Sequence, residues 1–237
     1  MHNVKRTRED WMNVASVPGN EECFSASAQT PNENSTLKGK TILFLGSSVT
    51  LGAASCSESF ADYLEKIDGI HKIKEAVNGT TLVNDGIEKR SYIERMLTMD
   101  KTVKADAFIC QLSTNDATKQ KTLGTVSEGF DREKFDISTI AGAIEYIISY
   151  AKETWNCPVY FYTGARYDSR NYAAMVARLY ELKDKWDIGV FDLWSDDGFN
   201  AISDEERKLY MADPIHPTRA GYMKWWCPEM ERQLKVR

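Results

Sequence analysis

The stretch TILFLGSSVTLG, residues 41–52, decides the fold that the sequence predicts. Its first five residues form an apolar run closed by Gly46, as expected for a strand that is buried on both faces of a sheet. Small hydroxylated residues follow, and Gly52 ends the stretch, which is typical of a tight loop approaching a helix. The pattern therefore predicts an α/β protein in which residues 46–52 lie at the carboxyl end of a buried strand.

The apolar run recurs along the chain, with helical patterns between the runs. Further strands are predicted at residues 107–112, 158–162 and 189–193, with a weaker candidate at 73–77. Helices are predicted at residues 60–67, 87–97, 140–150, 172–186 and 219–234, with Ser57 and Ser138 as N-caps. This alternation predicts a three-layer α/β/α domain, flavodoxin-like, with a five-stranded parallel sheet. Ligands of such sheets bind beyond the carboxyl ends of the strands, so the strand-to-helix loops are the candidate sites.

The length of the chain suits one domain. Its 237 residues, 42% of them hydrophobic, are enough to bury a sizeable core. Residues 1–38 are rich in Asn, Ser, Thr, Glu and Pro and lack a sustained period. We therefore predict an irregular N-terminal extension at 1–38 and the folded domain at 39–237.

The composition argues against several classes of partner. A formal net charge of -5 gives no basic surface for nucleic acid. The chain has neither a signal-like apolar segment nor the roughly 18 apolar residues of a membrane span, so we expect a cytoplasmic protein. Five cysteines without paired short spacing predict reduced thiols rather than a disulfide framework or a zinc site. We expect no metal and no organic cofactor, and the sequence leaves the oligomeric state open.

Ser48 is the candidate nucleophile of the 46–52 loop. A serine between a buried strand and a helix can be both accessible and rigidly held, but it needs a base to remove its proton. A phosphate-binding loop is the weaker interpretation, because the stretch lacks a Gly-Lys-Ser/Thr ending and a three-glycine spacing. A helix N-cap is the alternative role for this serine.

His216 is the candidate base, within the sequence DPIHP at residues 213–217. Of the other two histidines, His2 lies in the irregular terminus and His71 in a polar stretch. The turn can fold Asp213 back towards the imidazole Nδ1, where a carboxylate fixes the tautomer and stabilises the imidazolium. The alternative is a simple turn that precedes the last helix.

Two further loops can supply an oxyanion hole, meaning donors that meet the charge developing on a carbonyl oxygen. They are NGTT at residues 78–81 and STND at residues 113–116. Gly79 can offer an unobstructed backbone N–H and Asn115 a side-chain amide. Ordinary turn chemistry is the alternative for Asn115, and we expect Asp116 to brace its loop rather than react.

The four blocks together resemble the SGNH/GDSL hydrolases over about residues 40–222. The blocks are GSSVT at 46–50, NGTTL at 78–82, LSTND at 112–116 and DPIHP at 213–217. The resemblance implies the SGNH hydrolase fold, Ser48 as nucleophile, and Asp213 with His216 as acid and base. It also implies that the Ser48 backbone N–H, Gly79 and Asn115 form the oxyanion hole.

Two positions depart from the family pattern. Ser47 stands where the family usually has Asp, and Ser113 stands where the third block usually has Gly. Neither change removes a reacting group, although two adjacent serines could exchange roles. The Gly-x-Ser-x-Gly elbow of ordinary α/β-hydrolases is absent, because Thr50 occupies the position of its second glycine.

The resemblance implies a serine ester hydrolase that works through an acyl-enzyme without a cofactor. We favour a small soluble ester, such as an acetylated carbohydrate, as the substrate. An acyltransferase on the same scaffold and a non-catalytic ligand-binding protein are the alternatives.

Several other features are weaker candidates. The long connection Thr118–Phe135 is a candidate lid over the site. Asp192 is a rival for Asp213, although a loop cap is its more ordinary role. Six further residues are candidates for substrate contact, with an ordinary surface or packing role as the alternative. They are Arg166, Tyr167, Arg170, Trp194, Trp225 and Trp226.

Overall fold

Five parallel strands form one sheet in the structure, a computed structural model that describes residues 14–87 and 90–235. The strands are β1 Thr41–Gly46, β2 His71–Ala76, β3 Ala107–Gln111, β4 Val159–Tyr162 and β5 Gly189–Phe191. Their order is β2-β1-β3-β4-β5, and every neighbouring pair is parallel. The predicted five-stranded parallel sheet is confirmed.

Helices follow the strands on both faces of the sheet. They are α1 Ser48–Leu51, α2 Phe60–Tyr63, α3 Tyr92–Met96, α4 Thr114–Thr118, α5 Ile140–Trp155, α6 Arg170–Trp186, α7 Asp197–Asn200, α8 Asp204–Tyr210, α9 Arg219–Gly221 and α10 Cys227–Lys235. Wider π-type turns extend α2 over Leu64–Asp68 and join α9 to α10 over Tyr222–Trp226. The helix predicted at 87–97 is shorter in the structure, because a capping box between Ser91 and Glu94 starts it at Tyr92. Residues 88 and 89 of that prediction lie outside the described residues.

Alternate side chains of β1 point to two separate apolar clusters, one on each face of the sheet. Leu43 and Leu45 belong to the cluster that α3, α5 and α6 cover. Ile42 and Phe44 belong to the cluster that α2 and the C-terminal helices cover. A parallel sheet needs both faces covered, and the predicted three-layer α/β/α architecture is confirmed.

The weakest strand pattern of the sequence belongs to an edge strand. β2 pairs only with β1 in the sheet order, so its outer side chains remain partly in water, and Ile73 is 37% exposed. Lys72 and Lys74 flank Ile73, and both pair with Asp62 of α2. Lysines on an edge strand hinder pairing with a further strand, and they also interrupt the apolar run.

The two predicted helix caps are each wrong by one or two residues. Ser57 has a positive φ of 67° inside a turn, and Ser59 caps α2 through a capping box with Asp62. Ser138 instead donates its hydroxyl to Asp136, and Thr139 caps α5. A cap residue needs extended backbone next to the first turn, which the residue type alone does not reveal.

The described part of the N-terminal segment, residues 14–38, contains three short 3₁₀ turns and contacts the loops at the carboxyl edge of the sheet. Asn20 is 2% exposed and joins two of those loops. Its amide donates to the Ala54 carbonyl at 2.8 Å, and its Oδ1 accepts from the Arg219 N–H at 2.8 Å. The Arg219 guanidinium also pairs with Glu58 at 2.9 Å. Residues 1–13 lie outside the described residues, and the division at residue 38 stays a prediction.

The predicted lid is wrong, because the connection Thr118–Phe135 leaves the carboxyl edge of the sheet after its first few residues and then runs along α6. α6 starts beyond the carboxyl end of β4 and ends just before β5, at the amino edge. Arg178, in the middle of α6, donates to the Gly124 carbonyl. Lys185, near the end of α6, donates to the Ser127 carbonyl at 2.8 Å. The contacts thus advance together towards the edge opposite the loop of Ser48.

A buried charged cluster fastens this connection to the helices. Glu145 of α5 is 1% exposed and forms an ion pair with Lys185. The Glu145 carboxylate also accepts from the Ser127 N–H at 3.0 Å and from the Trp186 indole N–H at 3.1 Å. Fully hydrogen-bonded buried charges of this kind are costly to break, because removing one leaves the other unpaired.

All five cysteines are free thiols. Within residues 14–87 and 90–235, no helix is both long and apolar enough to cross a membrane, and no group of three or more His, Cys, Asp or Glu side chains could hold a metal ion.

Replacing Glu145 by Gln should lower the free energy of unfolding by about 3 kcal/mol, because the Lys185 charge is left without its partner. Urea denaturation measures the loss. The exposed Glu128→Gln variant is the matched control, and we expect its change to stay within about 0.5 kcal/mol. Equal stability of the two variants would show that the buried ion pair contributes nothing.

Candidate active site

The turn after β1 presents Ser48 at the carboxyl edge of the sheet. Ser47 adopts φ -120° and ψ -138°, and Ser48 then starts the short helix α1. The Ser48 residue is 8% exposed, and its Oγ lies 2.8 Å from Nε2 of His216. Ser47 is fully buried, so of the two adjacent serines the structure brings only Ser48 to the imidazole.

Asp213 holds the other side of the His216 ring. The two Asp213 carboxylate oxygens lie 3.0 and 2.8 Å from His216 Nδ1. The backbone N–H groups of Ile215 and His216 each donate to Asp213 Oδ1 at 2.8 Å. The turn therefore folds Asp213 back onto the histidine, as the sequence predicts. A carboxylate at Nδ1 makes that nitrogen the donor, which leaves Nε2 able to accept from Ser48.

The pKa of Asp213 lies below its ordinary value of 3.8. Burial alone would raise this pKa, but the hydrogen bond and the charge of His216, together with the two backbone N–H groups, outweigh it. The side chains of His216 and Asp213 are 15% and 14% exposed, so their interaction is only weakly screened by water. The carboxylate therefore stays ionised beside the imidazole at neutral pH.

The two predicted oxyanion loops flank the turn of Ser48, because β1 lies between β2 and β3. Gly79 lies in the turn after β2, at a φ of +74° that favours glycine. Asn115 lies in the first turn of α4, after β3, and its Nδ2 donates to the Thr80 carbonyl at 3.0 Å. Lys119 makes a second link, from Nζ to the Gly79 carbonyl at 2.9 Å. The Asn115 amide carries two N–H groups, and its bond to the Thr80 carbonyl uses one of them.

Arg95 is a buried organiser of the site that the sequence reading missed. It is 4% exposed and reaches from α3 into the space below the loops. Its Nη2 donates to the Gly46 carbonyl at 2.8 Å and to the Thr80 hydroxyl at 3.0 Å, and its Nη1 donates to the Glu75 carbonyl at 3.1 Å. One guanidinium thus connects the ends of β1 and β2 with the loop of Gly79.

Asp116 and Ser113 also hold the third loop in place. The Asp116 carboxylate accepts from the N–H groups of Leu82 and Val83 at 2.8 and 3.1 Å. Burial raises the pKa of Asp116, although its hydrogen bonds act in the opposite direction. Ser113 caps α4, so its side chain satisfies the helix N-terminus where the family usually has glycine. Asp116 braces its loop, as expected.

The weaker candidates have contacts of other kinds. Asp192 accepts from Thr163, Tyr180 and Ser195 rather than from His216. His71 starts β2 at the amino edge, and His2 lies outside the described residues. Arg166 holds the loop after β5 through the carbonyls of Trp194 and Ser195.

The three tryptophans differ in exposure. Trp226 is fully buried, and Trp225 is 7% exposed and stacks on Phe199 at 4.5 Å. Both are packing residues. Trp194 is only partly buried and meets the Tyr167 ring edge-on at 4.9 Å, in loops that follow β5 and β4.

A hydrogen-bonded Ser, His and Asp lie together at the carboxyl edge of a parallel sheet, an arrangement that serine hydrolases use. The GDSL-like lipase/acylhydrolase family matches this chain over residues 44–224. The chain belongs to that family, which is a family of hydrolases.

Three solved structures illustrate the similarity of fold. A putative GDSL-like lipase from Bacteroides ovatus has a TM-score of 0.64 and 17% identity, over 84% of this chain and 100% of the other. An acetyl xylan esterase has a TM-score of 0.59 and 17% identity, over 80% and 97%. A family two carbohydrate esterase from Clostridium thermocellum, in complex with cellohexaose, has a TM-score of 0.56 and 15% identity, over 88% and 67%. None of the curated proteins compared with the chain matches it.

The stabilising effect of Asp213 should depend on pH. Because its pKa is lower in the folded state, the stability that it adds is fully present above its unfolded pKa of about 4 and is lost as the pH falls through the native value. The free energies of unfolding of wild type and Asp213→Asn, measured by urea denaturation, should therefore differ by a constant amount above about pH 5, and this difference should shrink as the pH falls below about 4. Asp184→Asn, at an exposed position on α6, is the control, and a pH-independent Asp213→Asn difference would contradict the expectation.

Proposed function

We propose that the protein is a serine ester hydrolase with Ser48 as nucleophile, His216 as general base and Asp213 as the carboxylate that orients it. The observation that carries the proposal is the continuous hydrogen-bonded chain, with 2.8 Å from Ser48 Oγ to His216 Nε2 and 2.8 Å from Nδ1 to Asp213. These distances lie within reach of direct proton transfer. Family membership supports the same class of reaction.

The reaction has two halves. His216 Nε2 accepts the Ser48 hydroxyl proton while Oγ attacks the ester carbonyl carbon, and the imidazolium then protonates the departing alkoxide. This gives an acyl-enzyme and an alcohol. Water enters, loses a proton to His216 and attacks the acyl carbon, and Ser48 Oγ leaves with the proton from the imidazolium. Asp213 stabilises the positive ring in both halves without taking up its proton.

In this proposal the Ser48 backbone N–H, the Gly79 backbone N–H and the Asn115 amide bind the oxyanion. The link from Asn115 to the Thr80 carbonyl supports this role, because it fixes the amide plane and leaves its second N–H for the substrate. The fixed loop also keeps the donors in place before the charge develops, which is the source of their effect on rate.

The substrate is proposed to be a small soluble ester, such as an acetylated carbohydrate. Two structures of similar fold, described as an acetyl xylan esterase and a carbohydrate esterase, support this choice. The partly exposed Trp194 and Tyr167 provide aromatic surface at the carboxyl edge. Assays of acetylated sugars with and without sugar acceptors separate hydrolysis from acyl transfer, the second candidate function.

Exposure to a fluorophosphonate, followed by intact-mass analysis and peptide mapping, should give one adduct on Ser48. We expect the adduct to disappear in Ser48→Ala and to persist in Ser47→Ala, because of the two serines it is Ser48 that contacts His216. The Ser47 variant is the matched control for disturbing the turn. An unlabelled but folded wild-type protein would instead favour a ligand-binding protein without turnover.

Replacing Asn115 by Ala should reduce kcat on p-nitrophenyl acetate by about 10²–10³-fold and change KM far less, because the lost donor acts mainly on the transition state. Lys119→Met is the control, since it removes the other link between the two loops without removing a proposed oxyanion donor. A similar fall in both variants would mean that Asn115 acts by holding the loop.

A further inference from the structure

We propose that Gln111 is a positioning residue for Ser48, whose single amide oxygen fixes the backbone of the turn that carries the nucleophile. This inference rests on the proposed function of Ser48. Gln111 is the last residue of β3 and is 1% exposed, and its hydrogen bonds go to the residues around Ser48 rather than to the Ser48 hydroxyl.

The Gln111 oxygen binds the turn on both sides of Ser48. Oε1 accepts from the Ser47 N–H at 2.9 Å and from the Thr50 N–H at 3.2 Å. It also accepts from the Thr50 hydroxyl at 2.8 Å. One rigid acceptor on a central strand therefore holds the residue before Ser48 and the residue two positions after it. The position of Ser48 Oγ relative to His216 follows from this constraint.

Tyr162 extends the chain of hydrogen bonds to the next strand. Its hydroxyl lies 2.6 Å from the Thr50 hydroxyl, which already gives its only proton to Gln111, so Tyr162 donates to Thr50. Tyr162 ends β4 and is fully buried, and burial raises its pKa well above the ordinary value. The phenol consequently stays protonated, and the turn of Ser48 is linked to both β3 and β4.

The orientation of the Gln111 amide is fixed by its partners. Two backbone N–H groups face one end of the amide, so that end must be the oxygen. The amide nitrogen Nε2 then points the other way, is buried, and has no hydrogen-bond partner among the described residues. An apolar side chain at position 111 would leave the buried N–H groups of Ser47 and Thr50 without this acceptor.

The test measures the fluorophosphonate labelling rate of Ser48 and the kcat and KM for p-nitrophenyl acetate. Gln111→Leu should lose about 10²-fold in labelling rate and in kcat with KM changed by less than about threefold, as expected for a nucleophile displaced by about 1 Å. Gln111→Glu keeps an acceptor for the same donors and should recover at least tenfold of that loss. Recovery by an acceptor is a result that a purely space-filling role would not give.

Two further variants keep the inference falsifiable. Thr50→Val removes the hydroxyl between Gln111 and Tyr162 with little change in volume, and it should slow labelling even if Gln111→Leu does not fold. Glu145→Gln, destabilised at the opposite edge of the sheet, should label at the wild-type rate. Wild-type labelling of both Gln111→Leu and Thr50→Val, or an equal loss in Glu145→Gln, would overturn the inference. Failure of the wild-type protein to label would overturn the proposed function and this inference together.

Discussion

The parallel pairing of β1 between β2 and β3 is the constraint on which the site depends. Gly46 is in register with Ala76 of β2, and Leu45 with Cys110 of β3, so the three strands end at the same edge of the sheet. The loops that follow carry Ser48, Gly79 and Asn115, in the spatial order Gly79, Ser48, Asn115. In a parallel sheet each crossover helix returns the chain to the amino edge, so every strand ends at the carboxyl edge. This topology alone brings the three loops together.

The histidine comes from a different part of the chain and needs its own anchors. Thr218 and Arg219 follow the DPIHP turn, and Arg219 is bound by Asn20 and Glu58. Further on, the Tyr222 hydroxyl donates to the carbonyl of Val49, the residue after Ser48, at 2.6 Å. The C-terminal helices thus bind to α1 at the point where His216 meets Ser48. The N-terminal segment joins the same region, although it lies outside the part of the chain that the family match covers.

Sequence reasoning predicted the sheet, which the structure confirms, and the loops of the candidate site, because both depend on local patterns. The apolar runs predict strands, and a loop at the end of a strand predicts where Ser48 and Asn115 lie. It failed where distant residues determine the outcome. The Thr118–Phe135 connection looks like a lid by length and composition, but its course is set by buried partners on α5 and α6 such as Glu145 and Lys185.

The two organisers that were missed differ in what the sequence could have revealed. Arg95 binds mainly backbone oxygens of residues far apart in the chain, and no residue pattern signals such partners. Gln111 did leave a signal, since it is a polar residue inside the apolar run at 107–112. A polar side chain at the end of a buried strand must find partners or destabilise the fold.

The buried polar groups at the carboxyl edge of the sheet have one feature in common. Arg95, Gln111 and Asp116 each bind backbone N–H or C=O groups of the loops that carry the proposed catalytic residues. Apolar side chains could cover the ends of the strands at a lower free-energy cost of burial. Apolar packing is not directional, however, and would leave the N–H and C=O groups of the loop backbone unpaired. Hydrogen bonds from rigid strands and helices select one loop conformation. The distance of 2.8 Å between Ser48 Oγ and His216 Nε2 therefore depends on residues that do not themselves react. For this reason we expect substitutions of Arg95, Gln111 or Asp116 to change kcat rather than KM.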